Sequence, residues 1–466
     1  MLTPSTQSAQ LRVKTVIESE YLSCASVHNI WGMVQLEGGS QICQNLPIDF
    51  IVVIDQSASM KVENKLVCVK ASIEYMVSQL NVNHRFCLIG LNQKIRDVTN
   101  GLQIINKVNK ESIVNQLKAI EAEGSTNISD GLLTAFQIVK SREDQTRLPT
   151  IFLFTDGLSN VGLQGDQLMA RLKQEYNLLP KGLTIHTFGY GQDHDSAMLR
   201  EMCFSFPSSV YYYIEDSDNI PSIFGECLSG LLSMVAQDIN IRIIAKDGCR
   251  IVGLYTPMTI TENQSAKDYS IAMGHLYSLE SRTLLFKLSV RQMQPDCNQD
   301  LYKVQVEYKN TSSGNLEMIE RVMSINRSPV VIKDPIPIEL DQQINRFSTV
   351  MTIENAITEC LEFNFCSAQQ KINNIIQCIV TSSSASKCGH LIIDLLDCSR
   401  ALHSNRNRKG GLHYARAYSL MYWIERSTGT SYLIGLNQFN PVKYSYTTTC
   451  QQSGATKALE YVKKYW

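Results

Sequence analysis

Between Pro47 and about Gln237, short apolar runs alternate with amphipathic helical stretches, a pattern that constrains this region to a mostly parallel sheet covered on both faces. The strand candidates are DFIVVID, RFCLIGLN, TIFLFTD, LTIHTFGYG and VYYYIED. Between them, KLVCVKASIEYMVSQL, SIVNQLKAIEA, SDGLLTAFQIVKSR, DQLMARLKQEY and IPSIFGECLSGLLSMVAQ carry apolar residues at three- and four-residue steps. Residues 47–237 are expected to form a doubly wound, Rossmann-like α/β domain.

Beyond this region the period changes to two. DINIRIIAKDG, YSIAMGHLYSL, TLLFKLSVRQ, LYKVQVEYKN and MIERVMSIN predict antiparallel strands over 238–328. LRVKTVIESEYLSC and NIWGMVQLEGG, within residues 1–46, have the same character, and strands so few cannot stand alone. They are expected to complete the later β-sandwich, which makes the α/β domain an insertion. Pro329, Pro335 and Pro337 predict an extended linker over 329–338. Helical periodicity then returns, and 339–466 is expected to be mostly helical.

The first strand of the α/β domain ends abruptly on Asp55, Ser57 and Ser59. In an open parallel sheet, ligands bind beyond the carboxyl ends of the strands, so this is where a site is expected. GSTNISDG places Thr126 just before a helix, and FLFTDG places Asp156 at the end of another strand. A lone Asp-x-Ser-x-Ser is also an ordinary turn or helix cap, but the two further loops turn it into a set of five convergent oxygen donors. Two carboxylates and three hydroxyls, with no thiol or imidazole, suit Mg²⁺, with Mn²⁺ or Ca²⁺ as substitutes.

Asp55, Ser57, Ser59, Thr126 and Asp156, in this order within one α/β domain, resemble the metal-ion-dependent adhesion site of the von Willebrand factor A domain. The resemblance implies that Ser57, Ser59 and Thr126 contact the ion, that Asp55 and Asp156 act through bound waters, and that one coordination position stays open for an acidic side chain of a protein partner. The order of leading strands, A domain, β module and helical tail, with the stretch GGLHYARAYSLMYWIERSTG, is similar to a group of eukaryotic proteins. That group includes intein-associated forms and plant RING-type ubiquitin ligases of the wavy-growth kind. The chain has no RING-type cysteine array and no self-splicing domain, so ligase activity is not carried over.

Composition narrows the function further. With 43 basic and 44 acidic residues and a formal net charge of −1, nothing favours nucleic acid or an anionic membrane. The 14 cysteines form no Cys-x-x-Cys pair, so reduced thiols are expected in place of disulfides or zinc. The start MLTPSTQSAQLRVKTV lacks the features of a signal peptide and no apolar run is long enough to span a membrane, which points to the cytoplasm and makes the sequons at Asn127, Asn263, Asn310 and Asn326 chance matches.

No enzyme is expected. An apolar strand ending in Asp also opens phosphotransferase sites, but those place a second acid two residues on, where this chain has Ser57. His186 and His194 are expected to be core or surface residues and not catalysts, the run Tyr211 to Tyr213 to pack, and the basic loop around Arg406 to be solvated. The expected function is a Mg²⁺-dependent, cytoplasmic protein-binding scaffold or adaptor that recognises an Asp or Glu of its partner. Alternatives are a substrate-recruiting component of a ubiquitin ligase without its own RING, and a surface adhesion protein.

Overall fold

The computed structural model describes residues 10–40, 46–179, 182–292, 298–329, 335–403, 408–430 and 446–466. Its contacts divide the chain into two units. A β unit comprises 1–42, 234–403 and 421–426, and an α/β unit comprises 43–233, 404–420 and 427–466.

In chain order the elements are β1 (Leu11–Ile17), β2 (Tyr21–Ser23), β3 (His28–Gly38), β4 (Ile48–Asp55), α1 (Lys65–Gln79), β5 (Arg85–Leu91), β6 (Ile95–Asp97), β7 (Gln103–Ile104), α2 (Lys107–Lys118), α3 (Ile128–Lys140), β8 (Leu148–Thr155), α4 (Gly165–Tyr176), β9 (Thr184–Tyr190), α5 (Ser196–Ser205), β10 (Val210–Ile214) and α6 (Ile220–Leu232). There follow β11 (Met234–Ala245), β12 (Cys249–Tyr255), β13 (Ile260–Gln264), β14 (Asp268–Tyr277), β15 (Ser281–Val290), β16 (Asn298–Asn310) and β17 (Leu316–Ser328). The last elements are α7 (Ile338–Leu361), α8 (Phe365–Val380), α9 (Gly389–His403), α10 (Arg408–Ile424) and α11 (Thr449–Tyr465).

The α/β unit is built on the sheet β10-β9-β8-β4-β5-β6, with β7 also paired to β5. Strands β10, β9, β8, β4 and β5 run parallel, and only β6 and β7 pair antiparallel. Every residue of β4 and β8 is buried, as expected for central strands with helices on both faces. The chain leaves β4 for β5 on one side and returns to β8 on the other. The strand order therefore reverses between β4 and β8, the position at which such sheets open a binding crevice.

The β unit is a two-sheet sandwich. One sheet has the order β1-β3-β15-β12 and the other β13-β14-β11-β16-β17-β2. Strand β3 pairs antiparallel with both β1 and β15, and β2 pairs parallel with β17, so the N-terminal strands complete sheets whose other members follow the α/β domain. Leu11, Val34, Ile241, Phe286, Tyr302 and Val304 meet in the core between the sheets. On the outer face of the first sheet, Val16, Met33 and Leu285 pack with Leu340 of α7.

Two expectations change. The helix expected to run through Gln237 stops at Leu232, and Met234 to Gln237 begin β11, where Met234 pairs with Tyr277. A short apolar run does not by itself distinguish helix from strand, and here an available partner strand decides. The expected C-terminal helical region is divided as well: α7, α8 and α9 lie in the β unit, and α11 lies in the α/β unit. The reason is close packing of small residues. A Cβ on Gly225 of α6 would come within 2.5 Å of the Ala458 Cβ and the Gly454 carbonyl oxygen of α11, so the two helix backbones approach through these positions. The linker expected over 329–338 falls partly outside the described residues, as does Arg406 in the basic loop.

In the β unit, the stretch YWIERS supplies a buried ion cluster. Arg426 donates to both oxygens of Glu280 at 2.7 and 2.8 Å, and its guanidinium lies 3.8 Å from the Tyr277 ring centroid. Glu425 pairs with Arg346 at 3.4 Å. The described cysteines are free thiols, and no helix among the described residues is long and apolar enough to cross a membrane.

Candidate metal centre

Parallel pairing of β4 with β8 matches Ile54 with Phe154, so the strands end side by side and carry Asp55 and Asp156 to the same edge. Both carboxylates are buried, Asp55 at 0% and Asp156 at 2% exposure. Asp55 Oδ1 accepts the Ser57 backbone N–H at 2.8 Å, and Oδ2 accepts the Thr155 hydroxyl at 2.8 Å. The Ser57 and Ser59 hydroxyls are 3.0 Å apart, and Ser59 donates to Asp156 Oδ1 at 2.7 Å. Lys65, the first residue of α1, donates to Asp156 Oδ2 at 2.9 Å. Asp55, Ser57, Ser59, Asp156 and Lys65 thus form one hydrogen-bonded chain.

Thr126 reaches this group by another route. Its backbone N–H donates to the Asn160 side chain at 3.0 Å, and its carbonyl accepts the backbone N–H groups of Asn160 and Val161 at 3.1 and 3.2 Å. A Cβ on Gly157 would lie 3.5 Å from the Thr126 hydroxyl, so Thr126 sits against the turn that follows Asp156. The neighbouring loop is pinned by Ala58, whose N–H donates to the Gly124 carbonyl at 3.2 Å. Asn127 caps α3, accepting the Asp130 N–H at 3.2 Å, which fixes the helix start just after Thr126.

The electrostatics of the two acids differ. Burial pushes the Asp55 carboxyl up to about 6, against the lowering effect of the Ser57 backbone N–H and of the Ser57 and Thr155 hydroxyls and with a further upward contribution from the nearby Asp156 charge. Asp156 instead has the Lys65 ammonium beside it, with 13% of the lysine side chain exposed. Of the two buried carboxylates, Asp156 is thus paired with a basic side chain and Asp55 with neutral donors.

The histidines noted from sequence lie in the packed interior. His186 is buried in β9, and His194 shares a hydrogen bond with the Tyr211 hydroxyl at 2.7 Å and stacks on His413 of α10 with ring centroids 4.3 Å apart. Burial holds His194 well below the usual histidine range. Among the described residues no three His, Cys, Asp or Glu side chains converge in a metal-ligating group. Any ion at this edge would depend on hydroxyls as well as acids.

Thr155 and Lys65 were not legible as members of the site. Thr155 is read as part of an apolar strand, and Lys65 as the polar start of an amphipathic helix. The only available signal was adjacency, since Thr155 precedes Asp156 and Lys65 opens the helix that follows Asp55-x-Ser57-x-Ser59.

A family model for the von Willebrand factor type A domain matches residues 49–226. These residues form a von Willebrand factor type A domain. Domains of this family are protein-interaction modules. Similar proteins include an uncharacterized protein, sll0103, of a Synechocystis strain, 24% identical over 64% of this chain and 67% of its own length. The E3 ubiquitin-protein ligase WAV3 of Arabidopsis thaliana is 25% identical over 53% of this chain, which spans only 31% of the ligase. Mouse inter alpha-trypsin inhibitor heavy chain 4 is 25% identical over 49% of this chain and 26% of its own length. Among solved structures, a von Willebrand factor type A protein from Catenulispora acidiphila covers 86% of this chain and 91% of its own with a TM-score of 0.66 at 14% identity. The ArnB paralog VWA2 from Sulfolobus acidocaldarius covers 91% and 99% with a TM-score of 0.58 at 16% identity. At these identities the structural likeness establishes the fold alone.

Proposed function

We propose that the edge formed by Asp55, Ser57, Ser59, Thr126 and Asp156 binds Mg²⁺ and that the ion presents an open position to an Asp or Glu side chain of a protein partner. The chain would then serve as a scaffold or adaptor in the cytoplasm, with a binding role and no catalytic one. The observation that carries this reading is the hydrogen-bonded chain from Asp55 through Ser57 and Ser59 to Asp156 at the point where the strand order reverses. The donor set fits a hard divalent cation, because all five side chains offer oxygen and none offers nitrogen or sulfur. Charge supports it too: Asp55 is fully buried on neutral donors, a position that a nearby cation would stabilise.

Bound there, the ion would supply a Lewis-acidic centre for an incoming carboxylate, while Ser57, Ser59 and Thr126 as neutral donors would leave its charge largely uncompensated. Exposed Val62, Leu158 and Val161 lie on the loops that carry the site and offer apolar surface around it, as a protein partner requires. The similarity to the plant ligase favours a second reading in which the captured partner is a ubiquitination substrate and a separate protein supplies the RING.

Capture from cell extract on the full chain, with and without EDTA, tests the proposal. Partners retained by the wild type should be lost with EDTA and with the Ser57→Ala, Ser59→Ala double variant. A partner set unchanged by both treatments would remove the metal from recognition. Ubiquitin-ligase subunits among the metal-dependent partners would select the second reading.

A further inference from the structure

We propose that Lys65 is a cation built into the site: it holds Asp156 when no metal is bound and so sets how tightly a divalent ion binds. This inference rests on the metal-site reading above. Both oxygens of Asp156 are engaged, Oδ1 by the Ser59 hydroxyl at 2.7 Å and Oδ2 by the Lys65 ammonium at 2.9 Å. With 1% of the Asp156 side chain and 13% of the Lys65 side chain exposed, solvent screens the pair poorly. A divalent ion held by Asp55, Ser57, Ser59 and Thr126 enters the field of this ammonium. It must either displace Lys65 from Asp156 or bind beside a like charge.

The local backbone argues that Lys65 is placed for this purpose and not for the helix. A lysine at the first position of α1 puts its charge at the positive end of the helix dipole, the less favourable end for a cation. The N-cap, Asn64, makes no side-chain capping bond and sits at φ 55°, and Glu63 before it is also at φ 55°. Glu63 in the left-handed region is strained while Asn64 adopts it more readily, and the helix start has no side-chain cap, the Lys65 amide donating instead to the Met60 and Val62 carbonyls. Three local preferences are therefore violated in succession. Together they deliver one amine to Asp156, and departures of this kind concentrate where a site requires them. The glycine beyond the amine fits the same account: Gly191, at φ 66°, would place a Cβ 3.6 Å from the Lys65 Nζ, so the ammonium is packed against β9's exit as well as against Asp156.

A purely structural lysine would tie α1 to the end of β8 and leave ion affinity unchanged. The two roles separate in a calorimetric titration of the full chain with Mn²⁺ and with Mg²⁺, paired with melting in EDTA. Lys65→Met should bind the ion at least about tenfold more tightly than wild type, the change expected from removing a like charge a few ångströms from a divalent ion even at the dielectric of water. It should also melt lower in EDTA, because Asp156 loses its cation, and recover when the ion is added. Lys65→Arg, which keeps the charge, should stay near wild type, and Lys65→Gln should repeat the Met result if the Met variant folds poorly. A wild type that binds no ion beside a Lys65→Met variant that does would also support the inference, the ammonium then excluding the metal. Equal or weaker binding by Lys65→Met and Lys65→Gln, with the wild type binding, overturns the role of Lys65 and leaves the metal site standing. Absence of binding in every variant overturns both.

Discussion

Strand β4 carries a buried aspartate near each end, and the two are held in opposite ways. Near its start, Asp49 receives Arg85 at 2.6 and 2.8 Å, Arg147 at 2.7 Å and Arg142 at 2.9 Å. Burial alone would raise its carboxyl, but the three guanidinium groups outweigh it and hold the group below the usual carboxylate range. At its far end, Asp55 has a backbone N–H and a hydroxyl, and burial wins, pushing the carboxyl up to about 6. Both side chains are 0% exposed, so burial does not distinguish them. What differs is whether the protein supplies cations of its own. Asp49 is a completed ion cluster that ties β4 to β5 and to the segment before β8, whereas Asp55 is left with neutral donors at the crevice.

The largest expected effect breaks the completed end. Asp49→Ala leaves three guanidinium groups facing one another, one of them, Arg142, with a side chain 0% exposed. Removing one partner of a buried charge cluster costs about 3–5 kcal/mol. Urea denaturation of the full chain, with hydrogen exchange followed at the β4 and β5 amides, should show that loss in the α/β unit. A loss under 1 kcal/mol would mean that the arginines find water readily and that the contrast with Asp55 is weaker than the geometry indicates.

The opposite substitution at the other end should stabilise the metal-free protein. Asp55 has a folded pKa of about 6 against 3.8 unfolded, so between those values the folded state binds more protons. Its contribution is therefore fully present below about pH 4, declines as pH rises through 6 and stays flat above. Asp49 has the reverse sign: its folded pKa lies below 3.8, so its contribution is present above that value and is lost as pH falls through the folded pKa. In EDTA at neutral pH, Asp55→Asn should gain about 1–3 kcal/mol, and the decline between pH 4 and 6 should flatten. Melting of wild type and variant across pH 4 to 8 checks both. An Asp55→Asn protein that is less stable in EDTA at every pH would show that the charge is already well compensated.

How much of this was legible in the sequence follows from chain distance. Asp55, Ser57 and Ser59 lie within five residues, and Thr126 and Asp156 each mark the boundary of a periodic element, so their placement at strand ends and a helix start could be read from the sequence. The structure links Asp55, Ser57, Ser59 and Asp156 by hydrogen bonds and sets Thr126 against the next turn. The Asp49 cluster could not be read, because its arginines lie 36, 93 and 98 residues away and each looks like an ordinary solvated side chain. Lys65 escaped for a related reason: its partner Asp156 is 91 residues on. The placement of α11 was hidden by the smallness of its contact residues, since Gly225, Gly454 and Ala458 carry no apolar periodicity that would announce a helix-to-helix seam. Local order follows from spacing and punctuation, while ion pairs and small-residue seams depend on which distant segments the fold brings together.

The smallest expected effect sharpens the comparison at the crevice. If the missing charge at Asp55 is supplied by a divalent ion, Mg²⁺ should raise the melting midpoint of the full chain relative to EDTA. Binding only to the folded state contributes about 1.4 kcal/mol at ten times Kd, a shift of a few degrees. The double variant Ser57→Ala, Ser59→Ala should melt close to wild type in EDTA. Asp55 keeps the Ser57 backbone N–H and the Thr155 hydroxyl, Asp156 keeps Lys65, and Ser59 is exposed. The Mg²⁺ shift should nevertheless disappear, because two of the three neutral oxygen donors are gone. In Asp49→Ala the shift should survive on a lower baseline, since that change lies at the opposite end of the strand. Equal Mg²⁺ shifts in wild type and the double serine variant would place the ion somewhere other than Ser57 and Ser59, and the unbalanced end of β4 would then need a different source of positive charge.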